Sequence, residues 1–203
     1  MSNSDATLTL TPAVLLSGYA QGLFPMADDD GIEWYDVDPR AVLPLDAFHV
    51  PRRLARTVRS TDYTITVDAQ FRTVMQHCAA ARPGRETTWI APEMVEAYSE
   101  LHRLGYAHSV EVWQGDALAG GLYGVALGGL FAGESIFTVQ RDAGKVALVH
   151  LVERLRHGGY VLLDTQYLVG PHMRQFGAIE IARAEYQRRL AQALRVEGRW
   201  NAL

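Results

Sequence analysis

Three apolar segments, 108–113, 117–127 and 130–137, follow one another with only Gln114-Gly115-Asp116 and Gly128-Gly129 between them. Connections that short cannot carry a chain back to start a parallel strand, so the three segments must pair as an antiparallel meander. Residues 143–157 then place Ala147, Leu148, Leu151, Val152 and Leu155 on one helical face, closed by Gly158-Gly159. An apolar strand at 160–166, a short turn-helix to Gly177, a strand near 179–181 and a last helix from Arg183 complete the pattern. Upstream, 63–67 alternates as a strand, 69–80 reads as a helix, and 92–104 as another with Pro92 in its first turn and Gly105 at its end. Antiparallel strands followed by helix, strand and helix define an α+β layered domain with a mostly antiparallel central sheet.

Two of these apolar strands contain a carboxylate. Glu134 interrupts Leu130-Phe131-Ala132-Gly133-Glu134-Ser135-Ile136-Phe137, and Asp164 interrupts Tyr160-Val161-Leu162-Leu163-Asp164-Thr165-Gln166. Burying an unpaired carboxylate costs several kcal/mol or forces its protonation, so each acid needs an answer. In a strand Asp164 and Gln166 share a face. Two acids on core strands, one aligned with an amide, point to a polar site at the centre of the sheet. The alternative is a pair of structural acids, each met by an arginine or by backbone amides.

With 203 residues, 48% of them hydrophobic, the chain can build a full core. A change of texture near residues 60–62 suggests a small N-terminal domain, 1–60, holding a helix at 12–18, a turn-rich aromatic stretch and an arginine-bearing helix. The catalytic domain would be 61–203. The longest apolar runs fall short of a membrane span, and no basic segment followed by an apolar one opens the chain. Cys78 is the only cysteine, which excludes an internal disulfide and a cysteine-rich zinc site and fits a reducing cytoplasm. The seven histidines show no metal-ligand spacing, so no metal is expected. A formal charge of −4 means that any polyanion must be met by a local patch. Arg52, Arg53, Arg56 and Arg59 offer one, with Arg52, Arg56 and Arg59 along one helical face, although a solvated face is the default for such a run.

The chain resembles the leucyl/phenylalanyl-tRNA–protein transferases. The likeness is carried by Gly22-Leu23-Phe24-Pro25, Trp34 with Asp38-Pro39-Arg40-Ala41-Val42, Thr88-Trp89-Ile90, the run from Leu101 to Trp113, Gly120-Gly121-Leu122-Tyr123-Gly124, Gly133-Glu134-Ser135-Ile136-Phe137, and Leu163-Asp164 with Gln166. Single pieces are weak; this many in one order are strong. The resemblance implies an acetyltransferase-like (GNAT-like) fold and transfer of Leu, Phe or Met from aminoacyl-tRNA to a protein with N-terminal Arg or Lys. It implies no cofactor, no membrane and a monomer.

It also implies roles. Asp164 holds the incoming α-ammonium and can deprotonate it, Gln166 bonds the ester carbonyl or orients Asp164, and Glu134 meets a substrate cation. Leu122, Phe131, Gly133, Ile136, Leu148, Leu151 and Leu163 line the donor pocket; plain core is the other reading for these residues, and for Leu148 and Leu151 alone the favoured one. Trp89 stacks on the terminal adenosine of the tRNA, beside Met26. Met26 stands where many relatives carry tryptophan, Leu122 and Ile136 where methionine is commoner, and Gly144 replaces a usual serine. Two other readings stay open: a coenzyme A acyltransferase on the same fold, and a non-catalytic binder of aminoacyl-tRNA or basic N-termini. The first needs a loop that can cradle phosphates, and Val139-Gln140-Arg141-Asp142-Ala143-Gly144-Lys145 puts one glycine and an aspartate there.

Overall fold

The computed structural model describes residues 10–60, 62–81, 86–168, 170 and 172–201. Its elements run α1 (Pro12–Ala20), β1 (Phe24–Asp28), β2 (Gly31–Tyr35), β3 (Arg40–Val42), α2 (Arg52–Ser60), β4 (Tyr63–Val67), α3 (Phe71–Ala79) and α4 (Pro92–Arg103). There follow β5 (Ala107–Gln114), β6 (Ala117–Leu127), β7 (Leu130–Thr138), α5 (Ala143–His157), β8 (Leu162–Gln166), β9 (Ile179–Ile181) and α6 (Arg183–Ala193). The expected α+β frame is present, as is its mostly antiparallel sheet. Seven strands lie in the order β4-β5-β6-β7-β8-β3-β9, and only β7 and β8 run parallel. Helix α5 is the crossover those two parallel strands require.

The turn-rich stretch near the N-terminus is a separate hairpin, β1 with β2. Its turn is capped by Asp28, whose Oδ1 accepts the Asp30 N–H at 2.9 Å, so the acidic triplet is a solvated turn. Strand β3 was not apparent in the sequence, because three residues are too few to show alternation. It pairs with β8 on one side and β9 on the other, so the large sheet already includes residues before 60. The texture change at 60–62 therefore does not coincide with the edge of the sheet. The Arg82–Arg85 loop lies outside the described residues.

Hydrophobic burial divides between the faces of the sheet. On one, α5 covers Leu122, Phe131 and Leu163, joined by Leu54 of α2. On the other, α1, α3 and α4 cover Tyr123, Ala132 and Phe137. Helix α6 closes a third cluster over Val42, Leu130 and Leu162. The successive residues Phe131 and Ala132 falling in different clusters is the period-two signature of a strand buried on both faces.

Gly124 shows how tightly β6 and β7 approach. A Cβ there would sit 2.3 Å from the Ala132 carbonyl oxygen and 2.4 Å from the Phe131 ring. The carbonyl belongs to the neighbouring strand and cannot move aside cheaply. Gly124→Ala should therefore cost about 1–3 kcal/mol and lower the melting temperature by several degrees. An unchanged melting curve would mean that β6 and β7 pair in another register.

Candidate active site

Strands β7 and β8 pair only as far as Ala132 opposite Asp164. Beyond that point two local departures part them. On β7, Gly133 faces Gly124 and Ser135 faces Tyr123, so Glu134 is the extra residue of a bulge. On β8, Gln166 has φ of +62°, a left-handed conformation unusual for a side chain of its size. The Asp164 side chain supports that turn by accepting the Gln166 N–H at 2.8 Å. Across the opening, Gln166 Nε2 donates to Glu134 Oε1 at 3.0 Å. Asp164, Gln166 and Glu134, all expected at the site, are thus brought together where the parallel pair separates.

Asp164 differs from expectation in its role. Its Oδ1 accepts Arg40 Nε at 3.0 Å as well as the Gln166 N–H, and its Oδ2 accepts Arg40 Nη2 at 2.7 Å and the Tyr186 hydroxyl at 2.7 Å. Both partners of the ion pair are 1% exposed. With four donors already placed and no access to water, this carboxylate has no lone pair for an incoming ammonium. It holds Arg40, the Gln166 backbone and Tyr186 together. Arg40 is held just as fully: Nη1 donates to the Gly22 carbonyl at 2.9 Å, and the guanidinium lies between the rings of Phe24 and Tyr186, 4.8 and 4.5 Å from their centroids. Burial alone would lower the pKa of Arg40, but Asp164 raises it.

Glu134 is the opposite case. It is 8% exposed, and Oε2 has no hydrogen-bond partner in the described structure. Around it stand Tyr19, Tyr98 and Tyr123, all fully buried. Tyr19 and Tyr98 share a short hydroxyl–hydroxyl bond, and the Tyr123 hydroxyl is itself unpartnered. Burial pushes the Glu134 carboxyl up to about 8; the Tyr19 hydroxyl, Gln166 and Arg40 pull it down, and the Asp164 charge adds to the rise. An acid poised this way changes charge readily when a cation arrives.

The apolar residues expected around a donor side chain lie on the α5 face of the sheet, whereas the tyrosines around Glu134 belong to the cluster on the other face. Leu122, Phe131, Leu148, Leu151 and Leu163 share one buried cluster and are packed as core. Ile136, opposite Leu122 on β7, is 42% exposed. Gly133 is partly buried beside the Asp164 carbonyl. At Gly144 a Cβ would meet Thr138 Oγ1 at 2.4 Å and Ile136 Cγ1 at 3.1 Å, so the missing side chain lets α5 press against β7. Met26 and Trp89 are half-buried at the margin of the opposite core. They are tied together by the Ala27 N–H, which donates to the Trp89 carbonyl at 2.9 Å.

Arg52, Arg53, Arg56 and Arg59 are exposed on α2. That helix is anchored by Leu54 and rests on α5, which leaves the arginines on its outer side. Two histidines that sequence spacing separates meet at Asp68. The ligand atoms of Asp68, His102 and His108 lie within 4.8 Å of one another, yet they are engaged in hydrogen bonds. His108 Nδ1 faces Asp68 Oδ2 at 2.9 Å and its Nε2 faces the Gly105 carbonyl at 3.2 Å. His102 Nδ1 faces the Ala107 carbonyl at 2.8 Å, and Trp200 Nε1 donates to Asp68 at 2.7 Å.

Sequence reasoning missed Arg40 and the tyrosines as parts of the site. The available signal was Arg40 itself, a cation at the head of the apolar run Ala41-Val42-Leu43 and so the mirror image of the anomaly at Asp164.

Comparison with known proteins identifies the family. The profile described as leucyl/phenylalanyl-tRNA protein transferase matches residues 42–191, and that of its N-terminal domain matches residues 9–38. The leucyl/phenylalanyl-tRNA–protein transferase of Caulobacter vibrioides is 56% identical over 187 residues, 91% of this chain and 86% of its own. That of Nitrobacter winogradskyi is 55% identical over 202 residues, 98% of this chain and 88% of its own. Among solved structures, a protein described as an acetyltransferase of the GNAT family from Desulfovibrio desulfuricans aligns with 50% of this chain and 70% of its own, at 18% identity and a TM-score of 0.36. With a profile spanning most of its length and relatives above half identity along nearly all of it, the chain belongs to the leucyl/phenylalanyl-tRNA–protein transferase family, whose members are aminoacyltransferases.

Proposed function

We propose that this chain moves Leu, Phe or Met from an aminoacyl-tRNA to the α-amine of an N-terminal Arg or Lys, as a cytoplasmic monomer without a cofactor. The product is a peptide bond and a destabilising N-terminus for the N-end-rule degradation pathway. The observation that carries the reading is the Gln166–Glu134 edge where β7 and β8 part, at which one buried carboxylate oxygen stands unpartnered. A cationic acceptor fits that carboxylate.

The chemistry asks little more. The ester is already activated, and an α-amine with a reference pKa of about 7.7–8.0 is partly neutral at physiological pH. Proximity supplies roughly 7–11 kcal/mol, against about 10²–10⁴-fold for one general base. The amine attacks the ester carbonyl and loses a proton; the C–O bond to the terminal ribose breaks, and the ribose oxygen takes a proton as it leaves. Gln166, fixed through Asp164 and Arg40, orients the ester. Glu134, protonated in the free protein at neutral pH, releases that proton to solvent and pairs with the acceptor's positive charge.

The direct test incubates the protein with radiolabelled Leu-tRNA and an Arg-initiated peptide, with acetyl-coenzyme A as a parallel donor. Labelled peptide from tRNA is expected. Acetylated peptide, or binding without turnover, would replace this reading with a coenzyme A acyltransferase or a non-catalytic binder.

The elevated Glu134 pKa has a definite sign. The folded protein keeps a proton up to about pH 8 that the unfolded chain releases from the ordinary 4.5 upward. The unfolded state then binds fewer protons, and stability falls as pH rises through that window. Glu134→Gln should flatten this dependence, making the variant the more stable of the two at pH 8 in thermal melts, while acceptor KM rises tenfold or more. Parallel pH–stability curves for the two proteins would place the titration elsewhere.

If the α2 arginines neutralise tRNA phosphates, Arg52→Ala with Arg56→Ala should raise KM for Leu-tRNA and reduce its salt slope by roughly 0.7–0.9 for each phosphate no longer neutralised. A leucyl-adenosine donor should be unaffected, since it has no tRNA body. An unchanged slope with tRNA would return these arginines to the solvated-face reading.

A further inference from the structure

One large aromatic side chain beside the reacting edge has no part in the chemistry above. Tyr167 directly follows Gln166, and the left-handed turn at Gln166 ends β8 and carries Tyr167 out of the sheet. Its ring is 40% exposed. It is also unusually well supported for a surface residue. One face stacks on Phe24, with centroids 6.2 Å apart and planes at 27°. Phe24 is completely buried, and its ring lies against the Arg40 guanidinium. At the ring's edge the Tyr167 hydroxyl points at Met26 Sδ, 3.8 Å away. Phe24 thus gathers Arg40, Tyr35 and Tyr167 around one buried ring, with Tyr35 stacked on it at 6.1 Å and 26°.

A supported, partly exposed aromatic side chain next to the site is a place for another planar group. The donor supplies one. In an aminoacyl-tRNA the ester sits on the terminal ribose, so its base lies within one sugar's reach of the reacting carbonyl. With Gln166 facing the ester, residues adjoining Gln166 fall within the reach of that base. Bases stack on aromatic side chains whatever their sequence. The acceptor, by contrast, is recognised by charge at Glu134.

We propose that Tyr167, steadied by Phe24 and Met26, is a stacking platform for the terminal base of the donor, acting together with Trp89. This assignment rests on the transferase reading and adds a binding residue to it.

The test compares three leucyl donors, Leu-tRNA, leucyl-adenosine and leucine ethyl ester, with wild-type protein, Tyr167→Leu and Tyr167→Phe. Leucine keeps apolar packing on Phe24 but has no aromatic face; phenylalanine keeps the face and loses only the hydroxyl. Tyr167→Leu should raise KM for both adenosine-bearing donors by roughly tenfold to a hundredfold, the range that one stacked base commands. The ethyl ester and the acceptor peptide should keep their wild-type KM, and Tyr167→Phe should stay within about threefold for every donor. If Tyr167→Leu slows the ethyl ester equally, or shifts the acceptor KM instead, the platform is overturned and Tyr167 acts by shaping Gln166 or the acceptor path. Failure of the wild-type protein to use Leu-tRNA would instead overturn the transferase reading, and the proposal with it.

Discussion

The buried ion pair between Arg40 and Asp164 is the interaction on which the rest depends. Two charges 1% exposed would be ruinous apart. Truncating one partner of such a pair typically costs about 3–5 kcal/mol, because the other charge is left uncompensated in the interior. Here the pair is bidentate and further donors come from the Gln166 backbone and the Tyr186 hydroxyl, so each lone pair is used. The same guanidinium reaches the Gly22 carbonyl. One cation therefore fixes the small hairpin unit, the middle of the sheet, helix α6 and the backbone of the site.

Two carboxylates in one sheet consequently hold different states. Asp164 is paired, dry and permanently occupied. Glu134, one bulge away on the neighbouring strand, keeps an idle oxygen among tyrosine rings and a pKa pushed up to about 8. The two environments thus drive the acids apart, one fully paired and one with its charged form disfavoured by burial. Gln166 connects them, with its backbone on the first and its side chain on the second. The geometry of the reacting edge is thereby set from the core outward.

Much of this was legible in the sequence, for local reasons. The meander was, because Gln114-Gly115-Asp116 and Gly128-Gly129 allow nothing but adjacent antiparallel strands. Helix α5 was, because its apolar residues keep one face over fifteen positions and glycines end it. Glu134 and Asp164 announced themselves by breaking apolar runs. What failed to show was non-local. Arg40 and Asp164 are 124 positions apart, and no spacing rule links them, so Asp164 read as available when it is fully paired. The first hairpin was obscured by Pro25 and three successive aspartates, which break the alternation of a strand. Helix α3 starts later than its pattern suggested, at Phe71, because Asp68 takes a left-handed turn to accept the Ser109 N–H at 2.9 Å.

The placement of β3 between β8 and β9 bears on how such a chain acquires its structure. A strand made among the first fifty residues waits for both of its neighbours until the last forty have appeared. Contacts of that separation come at a high loop-closure cost, and a sheet depending on them forms slowly. During synthesis, β5 to β7 and α5 can assemble as a local unit, leaving β7 as a bare margin until β8 arrives. Strand β3 can pair only afterwards, when β8 offers Asp164 to Arg40 and α6 supplies Tyr186. Closing the Arg40–Asp164 pair is then a late event of folding, and a chain cut short before β8 would carry an exposed strand margin and an Arg40 with no carboxylate to hold β3 in the sheet.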